Sequence, residues 1–171
     1  MKRLLPACLL LVAALSFAQH GYDAQQKREI KALSAEETGQ YQSGAGMGFA
    51  LAAELNHYPG PMHALELADQ LQLSSTQRDG LKALMDSHKA EARAIGSRLI
   101  EAERELDRLF VSGQASADLL RKTVLAAGEL RSEYRLAHLE THRRTRELLS
   151  PGQIARYDHL RGYAGGGSHH K

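Results

Sequence analysis

Nine histidines stand in a chain of 171 residues, and three of them have a spacing that could do chemistry. His138 and His142 lie four residues apart, which puts two imidazoles on one face of a helix. His88 lies far upstream, but a break at Ser112-Gly113-Gln114-Ala115-Ser116 changes that separation. With the turn centred on Gln114, His88 falls 26 residues before it, and His138 and His142 fall 24 and 28 after it. In an antiparallel hairpin all three reach nearly the same level. Converging neutral imidazoles suit Zn²⁺, Cu²⁺ or Ni²⁺, with His63, Met85 or Asp86 as a fourth ligand. The alternative is that His88 is a seam residue bonded to a neighbour and that His138 and His142 lie at the surface. No other site stands out: there is no nucleophile motif, no phosphate loop and no HExxH, so nothing points to an enzyme.

Two long helices have to position these residues. The first is expected over 75–111. Its apolar residues, Leu81, Met85, Ala92, Ile95, Leu99, Ala102, Leu106 and Leu109, repeat in steps of four and three, with His88 as the one odd member of the seam. The second is expected over 117–148, with Leu120, Val124, Ala127, Leu130, Tyr134, Ala137 or His138, and Leu148 as its stripe. Gly113 can close the first helix and Ser116 can cap the second. Each arm is about 50 Å long at ~1.5 Å per residue, and the short loop makes the arms antiparallel. Two such arms cannot bury all their apolar surface on each other, so a further layer or a partner chain is expected.

Both ends of the hairpin carry the same start signal. Leu73-Ser74-Ser75-Thr76-Gln77 opens it, and Leu149-Ser150-Pro151-Gly152-Gln153 closes it. In each, serine caps the helix and glutamine reaches back to the serine N–H. Pro151 suits a first helical position. A short helix over 62–71 should precede the first box, and another over 154–163 should follow the second. Upstream, residues 20–33 read as helical, and Ser34 with Glu37 forms a further capping box. The helix it starts contains Gly44, Gly46 and Gly48 within 41–55, at a cost of roughly 2–3 kcal/mol relative to alanine. Close helix–helix approach would offset this; a kink or a free arm is the alternative. Asn56-His57-Tyr58-Pro59-Gly60-Pro61 breaks the chain.

Composition agrees with an all-α chain: there is no tryptophan, and no alternating strand pattern occurs. Residues 1–18 have the basic start, short apolar run and small-residue end of a cleavable export signal. Its removal takes Cys8, the only cysteine, and with it thiol chemistry. It also takes Lys2 and Arg3, so 22 basic against 20 acidic residues becomes 20 against 20. A neutral exported chain gives little support to nucleic-acid binding. The expected divisions are a signal at 1–18, an N-terminal helical arm at 19–61, the hairpin domain at 62–163 and a disordered Gly/His tail at 164–171. His169-His170 in that tail could take metal loosely.

A hairpin bracketed by two Leu-[Ser/Thr]-x-x-Gln boxes behind an export signal resembles the LTxxQ group. That group holds the periplasmic chaperones Spy and CpxP and related zinc- and nickel/cobalt-responsive proteins. The resemblance covers roughly 62–163. It implies an all-α, cradle-like fold of about four to five helices, often dimeric, and no enzymatic activity or required cofactor. The implied work is binding unfolded envelope proteins without ATP, or binding metal and relaying stress to an inner-membrane regulator. The nickel/cobalt sensors' ligand set does not carry over, because only His63 precedes the first box and no methionine follows His142. For clients or a dimer partner, Met85, Ile95, Leu99 and Leu106 on one hairpin face are the candidate surface.

Overall fold

A computed structural model describes residues 23–163. Every regular element among them is helical. After one helical turn at 23–26 come α1 (Ala35–Ser43), α2 (Leu51–Glu54), α3 (Pro61–Glu66), α4 (Ser75–Val111), α5 (Ala117–Leu148) and α6 (Pro151–Arg161). The expected signal and tail lie outside the described residues.

Helices α4 and α5 form the antiparallel hairpin, and the rest of the chain packs on it. The caps are those the sequence indicates. Ser34, Ser74 and Ser150 each accept from the backbone N–H three residues on, and Glu37, Gln77 and Gln153 complete the three capping boxes. Ser116 caps α5. Gly113 turns the chain with φ +69°.

The N-terminal part differs from the expectation in two ways. Residues 27–33 form turns instead of continuing a helix. The helix from Ser34 does not run through the glycines either; it stops at Ser43, and Gly44 caps it with φ +71°. The interior-glycine cost is thereby avoided. Gly44 to Ala50 then crosses the hairpin as irregular chain before the short α2. Downstream, the helix expected over 62–71 is regular only to Glu66.

Two apolar cores result. One joins Ile30, Leu33 and Tyr41 to Ala92, Ile95, Leu99, Ile100, Ala127, Leu130, Tyr134 and Ala137. The N-terminal segment is thus the further layer that the hairpin needs. The other core, at the box end, gathers Ala64, Ala68, Leu71, Leu73, Leu81, Leu149, Ile154 and Tyr157. The stripe of α5 is less regular than its spacing suggests: Val124 is 47% exposed and Leu148 37%.

Candidate functional site: a histidine–methionine cavity and an exposed hairpin face

Between the crossing segment and the hairpin lies a cavity of about 540 Å³. The hairpin contributes Met85, His88, Lys89, His138, Thr141 and His142 to it; the N-terminal side contributes Met47, Leu51, Glu54, Met62 and His63, with a glycine-rich backbone wall. Gly60 keeps that wall thin. A Cβ on Gly60 would come within 3.0 Å of the His142 ring.

His88 and His138 meet edge to face, with ring centroids 4.4 Å apart. His138 is 4% exposed. Its Nδ1 lies 2.9 Å from the Tyr134 carbonyl. A carbonyl only accepts, so Nδ1 carries the proton and Nε2 keeps its lone pair. That Nε2 is buried without a partner, as is His88 Nδ1. Burial and the neighbouring His138 push the His88 imidazole down to about 4, and burial also lowers His138. Both are neutral at pH 7. Tyr134, in edge contact with Tyr41 and Phe49, backs His138 and donates to the Ala45 carbonyl at 2.6 Å.

His142 is turned differently. Its Nδ1 donates to the Tyr58 carbonyl at 2.8 Å and sits 3.3 Å from Glu54 Oε2. Glu54, which the sequence reading missed, is 7% exposed. It accepts from Tyr157 and from the Gly60 N–H at 3.1 Å and the Tyr163 hydroxyl at 3.2 Å. His63 Nδ1 approaches it at 3.7 Å. Burial, reinforced by Glu54, raises the Tyr157 phenol. The sequence signal for Glu54 was a single acid inside Ala50-Leu51-Ala52-Ala53-Glu54-Leu55, an otherwise apolar run.

The three hairpin histidines therefore line one cavity without pointing at one centre. Among the described residues, no group of three or more His, Cys, Asp or Glu side chains is placed to hold a metal ion. Asp86 is exposed and pairs with Lys82 at 3.1 Å, away from the cavity.

The surface expectation needs correction. Leu99 is 1% exposed and Ile95 8%, both in the core. Met85 and Leu106 are half-buried. The heptad seam is the face that packs, and the N-terminal segment covers what α5 leaves. The apolar residues left in solvent lie elsewhere on the hairpin: Phe110, Val111, Leu119, Val124 and Leu125 near its tip, and Leu136 further along α5. Near the tip Arg104 pairs with Glu101 and Glu29 and Arg108 with Glu105, and further along α5 Arg143 pairs with Glu140 and Glu147.

At the opposite end the two boxes lie side by side. Leu73 and Leu149 are buried in the same core, Gln77 donates to the Leu148 carbonyl at 2.8 Å, and Gln153 donates to the Leu71 carbonyl at 3.2 Å. The family model of the LTXXQ motif family protein matches residues 61–161. The chain belongs to the LTXXQ motif family. The match runs from Pro61 at the start of α3 to Arg161 at the end of α6, and leaves out the N-terminal segment that closes the cavity. LTXXQ proteins are typically periplasmic and in general non-enzymatic. No curated protein and no solved structure matches the chain. No described helix is long and apolar enough to cross a membrane.

Proposed function

We propose that this LTXXQ protein is an exported, non-enzymatic envelope-stress protein of the Spy/CpxP type that holds unfolded clients without ATP. The observation that carries the reading is the apolar surface of the hairpin. Val111 is 76% exposed, Leu136 65%, Phe110 61% and Leu125 60%. Large apolar side chains set among charged ones are what an unfolded segment can dock on, and a charged surround keeps the bound client soluble. A second copy of the chain, or an inner-membrane regulator, could occupy the same face. The test is suppression of aggregation of a chemically unfolded client without nucleotide. Suppression near one chain per client is expected, and it should be lost in Leu125→Ser/Leu136→Ser. No suppression at large excess would remove the reading.

A second reading, a heavy-metal sensor or buffer for Zn, Cu or Ni, is favoured by one observation. His88 Nδ1 and His138 Nε2 are buried, neutral and unpartnered beside an open cavity. Orphaned buried polar atoms are uncommon and call for an explanation.

A further inference from the structure

Only four methionines occur in the sequence, and apart from Met1 all of them, Met47, Met62 and Met85, line the one cavity that also holds His88 and His138. We infer that this cavity is a site for a soft monovalent cation, copper(I) or silver(I), held by the Met85 thioether and the His88 and His138 imidazoles, and closed by Met47 or Met62. The inference rests on the metal reading above and narrows it to one class of ion.

Ligand chemistry decides the class. Thioethers are soft ligands and favour soft ions, copper(I) foremost. Structural zinc calls for four nitrogen, sulfur or carboxylate ligands. Among the described residues not even three His, Cys, Asp or Glu side chains converge. A soft monovalent ion accepts low coordination and imposes little geometry, so two imidazoles and a thioether suffice. Met85 and His88 are three residues apart on α4, which places them on one face. His138 faces them from α5, and its ring is already oriented. The Nδ1–H bond to the Tyr134 carbonyl fixes the tautomer that leaves Nε2 free, the usual outer support of a ligating imidazole.

Core filling is the competing account of the methionines, since methionine fits irregular gaps. It does not fit here. Met62 is 53% exposed, so it fills no core, and about 540 Å³ stays open beside two nitrogens without partners.

The experiment is a titration of the full chain, carrying His169→Ala/His170→Ala, with silver(I), copper(I) under anaerobic reductant, and zinc(II), following heat and the methionine methyl NMR signals. One silver or copper(I) ion per chain is expected, with shifts at the Met85 methyl. Met85→Leu should weaken silver binding roughly tenfold or more, and His138→Gln likewise. Zinc binding as tight as silver, or silver affinity unchanged in Met47→Leu/Met62→Leu/Met85→Leu, would overturn the soft-ion inference and leave the metal reading standing. Failure of all three ions to bind, and of nickel(II) and copper(II) titrated beside them, would overturn both.

Discussion

Gln77 and Gln153 exchange side-chain hydrogen bonds, Nε2 of Gln77 to Oε1 of Gln153 at 2.8 Å and the reverse at 3.0 Å. Each Oε1 also accepts the N–H of its own box serine, Ser74 at 3.0 Å and Ser150 at 2.8 Å. One amide pair thus completes two helix caps and fastens the start of α4 to the start of α6. The glutamine of each box does more than cap: an acid would serve the capping box equally well, but only an amide can both donate and accept across the pair.

Gln77→Glu tests that distinction. The variant keeps an acceptor for Ser74 but loses both donors, and it sets a carboxylate against Gln153 Oε1 and the Leu148 carbonyl. A loss of about 1–3 kcal/mol is expected from urea unfolding, with the helix content kept. An unchanged midpoint would show that the pair contributes nothing.

Gly96 tests the docking of the N-terminal segment. A Cβ there would lie 2.3 Å from the Tyr41 carbonyl, which cannot move without unseating α1. Gly96→Ala should cost about 1–3 kcal/mol and raise hydrogen exchange over 30–45. Gly128, in the interior of α5 as Gly96 is in that of α4 but with nothing within 4 Å of an added Cβ, is the control. Gly128→Ala should stabilise by up to ~1 kcal/mol.

Glu54→Gln tests the carboxylate that ties α2 to α5 and α6. The substituted amide would turn an N–H₂ toward groups that now donate, among them Tyr157 and the Gly60 N–H. A loss of about 3 kcal/mol is expected, read from thermal unfolding, with Tyr157→Phe in the same background showing non-additivity.

His88 gives the pH dependence. Its imidazole is held at about 4 in the folded chain against an ordinary 6.5. Between those values the unfolded chain binds the proton and the folded chain does not, so stability rises with pH across the window. The contribution is complete above pH 6.5 and is lost as pH falls toward 4. After allowance for solvent screening the loss is on the order of 1–2 kcal/mol. His88→Leu should flatten the stability profile between pH 4 and 6.5; an unchanged slope would place the effect on other groups.

The hairpin, its break and all three capping boxes were legible because each rests on local chemistry: a heptad repeat, a serine with its partner three residues on, a proline at a first helical position. The near-level placement of His88 and His138 was legible from loop symmetry alone. What the sequence concealed was long-range. The glycines at 44–48 read as a strained helix because nothing local shows that Gly44 takes the left-handed conformation against Ala92 and Lys89. Ile95 and Leu99 read as free surface because the segment that covers them lies some fifty residues away in sequence. Met47 and Met62 carry no spacing signal toward Met85; the fold alone brings them to one cavity.

The claim that the exposed hairpin face receives clients is tested most directly by site-specific photo-crosslinking to an unfolded client. A crosslinking side chain placed at position 125 or 136 should capture the client in proportion to its unfolded fraction. One at exposed Arg156 on α6 should not. Capture at 156 equal to that at 125 and 136, or none at any of the three, would contradict the account.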